Sequence, residues 1–392
     1  MNIISFFDQI TDIFSAIGIF IVGSLLIIQT TKLFKTTKLR VFGLYVWHSI
    51  FSLVYAYVSL TMPSDTTIYY ISSLNILPEF NLGTNAVIYL TSIFTNGLGF
   101  SYLGVFLIFN IFGTIGLLAV DASLRHATID KSNFTKFLAF IIVLLPSMNF
   151  WTSAIGKDSI AYMSTGLLLW ASIDLKNNTK LIAFSFICMF LVRPHISALI
   201  VIAFTLSLFI TKILSPIKRI FLIIISLVGT MYLIPITIQY VGLEEITSID
   251  LVKDFINVRQ GYNLTGGGGI DISSMSLWLK LFTYSFRPLP YEAHSFLSFL
   301  SSIDNFILLI ILVLSLISGI NSRQKLIPLS SYKENRWFLI IFALSVMVIS
   351  SFTTSNLGIS VRQKWMYMPI ILYFLFLYMK IKWSDPVKIS KI

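Results

Sequence analysis

The sequence has few charged side chains and a single cysteine. Only 11% of its residues are Asp, Glu, Lys or Arg, whereas 56% are hydrophobic. Soluble domains carry roughly 25% charged residues, so the composition excludes a soluble chain and predicts a polytopic membrane protein. Because the apolar stretches are long, the fold class that we expect is all-α. The lone Cys188, which lies in an apolar run, excludes an internal disulfide and argues against redox chemistry.

Common enzyme and metal motifs are also missing. The sequence contains no Asp-x-Asp, no G-x-S-x-G and no His/Cys cluster with metal-ligand spacing. The glycine run from Gly266 to Gly269 lacks the preceding strand and the following Gly-Lys-Ser/Thr of a phosphate-binding loop, so we interpret it as a flexible hinge. These absences predict no bound metal, no cofactor and no nucleotide-binding domain.

Apolar segments recur along the whole chain and predict about eleven transmembrane helices. They are Asp12 to Thr31, Val41 to Leu60, Tyr102 to Val120, Phe137 to Phe150, Ile160 to Ser172, Leu181 to Val192, Ile196 to Thr211, Ile220 to Tyr240, Phe306 to Ile320, Trp337 to Phe352 and Met366 to Met379. Several are shorter than the roughly 20 residues that a straight span needs. We expect these to pair as short hairpins whose polar tips end in a protein-lined, water-filled recess.

The basic residues divide into two sets. Twenty of the 28 Lys and Arg lie in alternate loops, which the positive-inside rule assigns to the inner side. The net charge of +11 therefore reflects membrane topology, and we do not expect nucleic acid as a partner. The remaining cations map to the outer side, against this bias: Lys157, Arg193, Lys253, Arg259, Lys280, Arg287, Arg362 and Lys364. Cations placed there predict an anionic ligand.

The chain divides into three parts by polarity. Residues 1–240 would form N-terminal transmembrane helices with outward-facing hairpin tips, and residues 304–392 would form the C-terminal transmembrane helices. Residues 241–303 are predicted to form one large outer loop between them, which carries the cluster Phe286-Arg287-Pro288-Leu289-Pro290-Tyr291-Glu292. A polar segment of this length between apolar helices predicts a substrate site at the membrane surface.

Three arginines are candidate ligands for a diphosphate. Arg193 lies between two apolar runs, where a charge is costly unless it is paired or hydrated, so it suggests a function. The alternative is a structural arginine that binds helix-end carbonyls. Arg287 and Arg362 carry the same planar guanidinium, which suits diphosphate oxygens. Arg362 could instead reach lipid headgroups together with Lys364.

Arg193 and Arg287 share two further features. A proline follows each of them, and neither has an obvious acidic partner in its own segment. Proline disfavours a helical conformation at the residue before it. We therefore expect both arginines to project from turns and to close on one diphosphate.

Two aspartates are candidate catalytic residues. Asp65 follows the second apolar segment, where its carboxylate could take a proton from a hydroxyl or simply cap the next helix. Asp158 follows Lys157 at the start of an apolar run. The alternative for this dipeptide is an N-terminal charge and a local ion pair.

A histidine and a glutamate complete the candidates. His195 follows the Arg193-Pro194 turn, and Glu292 follows the Arg287-Pro288 turn, so either could contact an acceptor hydroxyl. His48 lies within an apolar segment, and we expect it to be packed rather than catalytic.

Four short motifs resemble those of a known group of membrane enzymes. They are Pro146-Ser147-x3-Trp151-x-Ser153-x3-Lys157-Asp158, Arg193-Pro194-His195, Phe286-Arg287-Pro288-Leu289-Pro290 and Asn356-x-Gly358-x3-Arg362. Together they resemble bacterial surface-polysaccharide polymerases of the Wzy type (O-antigen, capsule or exopolysaccharide polymerases), which are broadly similar to GT-C membrane glycosyltransferases. One departure is that GT-C enzymes usually carry an acidic motif after the first span, whereas Asp65 follows the second.

The resemblance implies a multi-pass protein of the bacterial inner membrane that polymerises undecaprenyl-diphosphate-linked oligosaccharide repeat units on the periplasmic face. It implies no nucleotide sugar and no metal, with membrane lipids and a chain-length regulator protein as further candidate partners. The diphosphate would be held by Lys157, Arg193, Arg287 and Arg362, and the acceptor hydroxyl would be activated by Asp65, Asp158, His195 or Glu292. The alternatives are a lipid-linked-sugar flippase or other transporter, and a GT-C-type or ligase glycosyltransferase with another acceptor.

Overall fold

The computed structural model of the protein describes residues 9–62, 64–75, 79–175, 177–211, 215–242, 249–264, 267–321 and 334–379. Its α-helices, in chain order, are α1 Ile10–Gln29, α2 Lys38–Thr61, α3 Asp65–Leu74, α4 Thr84–Ser92, α5 Tyr102–Ala127, α6 Asn133–Val143, α7 Pro146–Thr152, α8 Lys157–Ile173, α9 Thr179–Val192, α10 Pro194–Ile210, α11 Pro216–Val241, α12 Ile249–Leu264, α13 Leu277–Phe286, α14 Phe296–Asn321, α15 Arg336–Thr353, α16 Leu357–Gln363 and α17 Met368–Tyr378. These ranges contain no strand, and the predicted all-α class is confirmed for them.

Each of the eleven predicted apolar segments is helical in the structure, although Phe137 to Phe150 divides between α6 and α7. Seven helical stretches in the described ranges are long and apolar enough to cross a membrane: Ile10–Gln29, Lys38–Thr61, Tyr102–Ala127, Asn133–Thr152, Pro216–Tyr240, Phe296–Gly319 and Arg336–Thr353. Helices α8, α9, α10 and α17 have 17 residues or fewer. The protein is therefore an all-helical, multi-pass chain, and the full set of eleven spans stays a prediction.

The segment predicted as an outer loop, residues 241–303, is largely helical where the structure describes it, outside 243–248 and 265–266. It contains α12 and α13, and α14 begins at Phe296, ahead of the predicted start at Phe306. The first turns of α14 carry Ser301, Asp304 and Asn305, whose side chains are buried inside the protein rather than solvated. Helix α14 therefore extends into the predicted loop, and the side of the membrane that residues 241–303 face stays a prediction.

The glycine run docks against the start of α16. Gly266 lies outside the described residues. The carbonyl of Gly268 accepts a hydrogen bond from the backbone N–H of Leu357 at 2.7 Å. A Cβ atom at Gly269 would lie 2.4 Å from the carbonyl oxygen of Leu264, so only glycine fits there. The hinge prediction is wrong for Gly268 and Gly269, whose backbone is held in place.

Helices α5 and α8 form the centre of the bundle because glycines let their backbones approach. A Cβ atom at Gly166 would lie 2.5 Å from the carbonyl oxygen of Gly116. Small residues at such a crossing are typical of helices that pack within a membrane, where close backbone approach supplies the van der Waals contact.

On α2, the buried His48 hydrogen-bonds to Asn110 of α5 and to Thr152 at the end of α7. The prediction that His48 is packed is confirmed.

One end of the bundle, which we call the Asp121 end, gathers the cations predicted to lie inside. The Asp121 carboxylate, 3% exposed, binds Arg40 at the start of α2 and Arg125 at the end of α5. Lys131 donates to the carbonyl of Leu377 near the end of α17. Other cations assigned to this side lie outside the described residues: Lys176, Lys212, Arg323, Lys325, Lys333, Lys380, Lys382, Lys388 and Lys391.

The opposite end, which we call the Asp158 end, gathers cations predicted to lie outside. Asp158 at the start of α8 binds Arg193 from the α9–α10 turn and Arg362 from α16. Arg362 also binds Asp65 at the start of α3. The predicted separation of the two cation sets is thus confirmed for these residues, while the side of the membrane that each end faces stays a prediction.

The two ends should differ in their access to reagents from outside the cell. We expect a membrane-impermeant maleimide to label Gly267→Cys, at the Asp158 end, in intact cells that carry the Cys188→Ser background. Lys136→Cys, an exposed position beside Arg40 and Arg125, is the control and should be labelled only after permeabilisation. The reverse pattern would invert the topology.

Candidate functional site

A single carboxylate joins two arginines at the Asp158 end. Asp158 accepts a hydrogen bond from Arg193 Nη2 through Oδ1 at 2.6 Å and one from Arg362 Nε through Oδ2 at 2.9 Å. Its side chain is only 12% exposed. A charge that has lost most of its hydration depends on such partners, and removing one of them is strongly destabilising. Asp158 thus forms ion pairs with two segments that are distant in the sequence. The alternative interpretation, a local ion pair with Lys157, is not what the structure shows.

Arg362 is the link between Asp158 and two further residues. Its Nη2 donates to Asp65 Oδ2 at 3.0 Å, and its guanidinium lies over the Trp151 ring, 5.3 Å from the centroid. The Asn356 side chain caps the start of α16 by accepting from the Gly358 N–H, which fixes the helix that carries Arg362. Burial lowers the pKa of Arg362, but its interactions with Asp158, Tyr55 and Asp65 together outweigh burial and raise that pKa, so the guanidinium stays charged.

Arg193 occupies the turn that its sequence predicts. Its backbone lies at φ −145° and ψ 72°, ending α9, and Pro194 begins α10. The Arg193 guanidinium binds the Asp158 carboxylate. The alternative interpretation placed it on the carbonyl groups at a helix end. Arg193 Nε and His195 Nδ1 are both buried, and neither has a hydrogen-bond partner among the described residues. Buried polar atoms normally have a hydrogen-bond partner, so these two atoms are available to a polar ligand.

Tyr240 closes the site on the side of α11. The rings of Tyr240 and His195 stack with centroids 5.7 Å apart, and Lys157 Nζ donates to the Tyr240 hydroxyl at 3.5 Å. Gly83, at φ +81°, leaves room for this ring, because a Cβ atom there would lie 2.3 Å from the Tyr240 hydroxyl. Sequence reasoning missed Tyr240, because it only ends an apolar segment and no motif marks it.

Arg287 and Glu292 form a separate ion pair. Arg287 Nε donates to Glu292 Oε1 at 2.8 Å, and Nη2 reaches the same oxygen. Burial of the Glu292 carboxyl raises its pKa, but hydrogen bonds from Arg287 and from the Leu289 N–H outweigh it and hold the pKa below its ordinary value. The expectation that neither Arg193 nor Arg287 has an acidic partner in its own segment is therefore wrong for Arg287. Among the described residues, Arg287 binds Glu292 whereas Arg193 binds Asp158, so the two arginines have different carboxylate partners.

A cavity of about 790 Å³ lies next to the Arg287–Glu292 pair. Its lining combines aromatic rings, hydroxyls, a carboxylate and glycine backbone, and includes Trp151, Gly267, Gly268, Arg287, Tyr291, Glu292, His294, Ser298 and Ser301. Aromatic faces with a few directed polar groups are suited to a polar, ring-shaped ligand such as a sugar. Because Trp151 also contacts Arg362, the cavity adjoins the Asp158 cluster.

A buried lysine lies two residues after Arg362 and is held by α14. Lys364 is 1% exposed, and its Nζ donates to Asn305 Oδ1 on α14. The neighbouring Asp304 accepts from the Met148 N–H at the start of α7, while Asn305 donates to the Pro288 carbonyl. Lys364 therefore does not reach lipid headgroups as the alternative supposed. Sequence reasoning missed Asp304, because the predicted apolar segment begins after it, at Phe306.

The predicted site residues fall into two groups in space. The first group gathers around Asp158 and comprises Asp65, Lys157, Asp158, Arg193, His195 and Arg362. The second is the pair Arg287 and Glu292 beside the cavity. No group of three or more His, Cys, Asp or Glu side chains with metal-site spacing occurs in the described ranges.

Comparisons with known proteins do not identify a family for this chain. No family model matches it, and neither the curated proteins nor the solved structures give a significant match. Its function is therefore argued from the residues of the Asp158 end.

Proposed function

We propose that the protein is a metal-independent membrane glycosyltransferase that polymerises undecaprenyl-diphosphate-linked oligosaccharide repeat units at the Asp158 end. The observation that carries the proposal is the pair of guanidiniums from Arg193 and Arg362 held at one end of an apolar bundle. Planar guanidiniums match the oxygens of a diphosphate. In this proposal the Asp158 end faces the periplasm of a bacterial inner membrane.

The charges of the Asp158 cluster suit an anionic ligand. Arg193, Arg362 and Lys157 supply three cations, whereas Asp158 and Asp65 supply two carboxylates. The cluster thus keeps a net positive charge in a poorly hydrated setting, where charge-assisted hydrogen bonds are strong. A diphosphate would also supply an acceptor for the unpartnered Arg193 Nε.

The proposed reaction is a displacement at the anomeric carbon of the lipid-linked sugar. The acceptor hydroxyl oxygen forms the new glycosidic bond, while the bond between the anomeric carbon and the diphosphate oxygen breaks. The electron pair of that bond passes to the diphosphate, whose growing negative charge is stabilised by Arg193 and Arg362. The hydroxyl proton passes to a carboxylate acting as general base.

Asp65 is the best placed of the candidate bases. Its side chain is 51% exposed and has an ion pair with Arg362. Asp158, at 12% exposure, is shared by two guanidiniums, and Glu292 is bound by Arg287 and by the Leu289 N–H. A base needs a free oxygen within reach of the acceptor, and Asp65 alone in this set combines access with proximity to the cluster.

The cavity beside Arg287 would hold the acceptor saccharide. Trp151 and Tyr291 offer faces on which sugar rings stack, and Glu292 and His294 offer polar contacts. In this arrangement Arg287 positions Glu292 for the acceptor instead of joining Arg193 on the diphosphate. Bringing the two substrates to either side of Trp151 would supply much of the rate by proximity.

Transport of the lipid-linked sugar is the second candidate, and one observation favours it. The Asp121 end repeats the pattern of two arginines on one buried aspartate, beside a cavity of about 1150 Å³ that Arg40 and Arg125 line. Against it, α5 and α8 pack closely between the two ends at Gly116 and Gly166. Polymerisation and transport differ in product, so a product assay separates them.

The two arginine–aspartate clusters provide a matched test of the proposal. Lipid-linked repeat units, isolated from cells that lack the protein, should give a polymer ladder with the purified wild type in liposomes. Arg193→Lys keeps the charge but loses the planar fork, so we expect ladder formation to fall about a hundredfold. Arg125→Lys makes the same change at the Asp121 end and should leave the ladder intact.

Two results would contradict the proposal in this assay. Wild-type protein that moves the lipid across the bilayer without lengthening the saccharide would establish transport instead. Equal ladders from Arg193→Lys and Arg125→Lys, with both proteins at wild-type abundance, would mean that the arginines only brace helices.

The role of Asp65 can be tested with a second carboxylate at the same end. Removing a general base typically costs about a hundredfold or more in rate, so Asp65→Asn should nearly abolish initial polymerisation. Asp271, which is exposed and hydrogen-bonds to Ser273, provides the control variant Asp271→Asn, and we expect its rate to match the wild type. Full activity of Asp65→Asn would exclude Asp65 as the base.

A further inference from the structure

A long apolar groove lies on the membrane-facing side of α9, α10 and α11. Its volume is about 1170 Å³, and side chains from all three helices form its walls and floor, among them Phe186, Ile200, Phe204, Ile225 and Leu233. Only 11% of the α11 span is buried inside the protein, so the groove opens toward lipid. It is separate from the cavity that lies beside Arg287.

The length of the groove distinguishes between two kinds of lipid. Its lining on α11 extends from Lys218 to Leu233, which is roughly 22 Å at about 1.5 Å per residue. An acyl chain of one leaflet reaches about half of the ~30 Å hydrocarbon core. The groove is thus longer than one leaflet and suits a tail longer than that of an ordinary phospholipid.

The groove leads to the Asp158 cluster. Tyr240 lies about two helical turns beyond Leu233 on α11, and it contacts both Lys157 and His195. A lipid whose diphosphate binds at Arg193 would therefore find α11 directly beneath its headgroup. Head and tail would lie on one continuous surface.

We propose that this groove binds the long polyprenyl tail of the lipid-linked substrate, with the diphosphate at the Asp158 end and the tail directed toward the Asp121 end. The inference rests on the proposed function, because it takes the headgroup from it. Burial of a tail along three helices would hold the anomeric carbon in position while the saccharide is extended.

Gly229 provides a substitution that should fill the groove without disturbing the fold. It lines the groove on α11, and a Cβ atom there would meet nothing within 4 Å. Gly43 on α2 has the same open surroundings but lies outside the groove. Gly229→Phe and Gly43→Phe are therefore a matched pair of variants.

The experiment uses the purified full chain in phospholipid nanodiscs and a long-chain polyprenyl diphosphate that carries a diazirine in its tail. We expect photocrosslinks on α9, α10 and α11, mapped by peptide mass spectrometry. The Phe side chain of Gly229→Phe would occupy the space of part of the tail and remove that part of its apolar contact area. We expect the crosslinking yield to fall about tenfold for this reason, whereas Gly43→Phe should match the wild type. Unlabelled polyprenyl diphosphate should compete, and excess phospholipid or geranyl diphosphate should not.

Several outcomes would overturn the groove assignment. These are crosslinks on other helices, equal yields from Gly229→Phe and Gly43→Phe, or displacement of the probe by phospholipid, which would make the groove an ordinary lipid contact. The ladder assay, run in parallel, separates this inference from the proposed function. Polymer formation with crosslinks elsewhere would reject the groove alone, whereas groove crosslinks without any polymer would reject the polymerase alone and support the tail site.

Discussion

The arrangement of the site depends on the cost of burying the Asp158 carboxylate. At 12% exposure this charge has lost most of its water and is held by two guanidiniums, one from each side. Because Arg193 and Arg362 come from distant parts of the sequence, the same interaction ties α8 to the α9–α10 turn and to α16. Breaking a buried ion pair by removing one partner costs about 3–5 kcal/mol. If the cluster binds a diphosphate as proposed, the requirements of stability and of anion binding meet at the same atoms.

The fold could be predicted well from the sequence because hydropathy controls it. Each predicted apolar segment is helical, with Phe137 to Phe150 divided between α6 and α7, and short segments such as α9 and α17 are short in the structure. The start of α14 could not be predicted, because Ser301, Asp304 and Asn305 are polar yet buried against other helices. Hydropathy reports the solvent that a residue prefers, and it does not report which neighbour satisfies a polar group.

The site could be predicted only in part. Cations placed against the positive-inside bias singled out Arg193 and Arg362, because charge within apolar surroundings is a strong signal. The structure brings both to Asp158, whereas the sequence paired Arg193 with Arg287, and their role as diphosphate ligands stays a prediction. The ion pairs of these arginines could not be predicted, because nothing in the sequence shows that Arg362 lies beside Asp158. The expectation that Arg287 has no acidic partner in its own segment is wrong, because Glu292 lies five residues further on and binds it. Tyr240 carried no sequence signal at all.

The central claim is that the Asp158 cluster binds a lipid diphosphate. An electron cryomicroscopy structure of the protein in nanodiscs with a polyprenyl-diphosphate-linked saccharide tests it most directly. We expect phosphate oxygens at about 3 Å from the guanidiniums of Arg193 and Arg362, with the saccharide beside Trp151. A diphosphate bound at Arg40 and Arg125 of the Asp121 end instead, with the Asp158 cluster unchanged, would contradict the account.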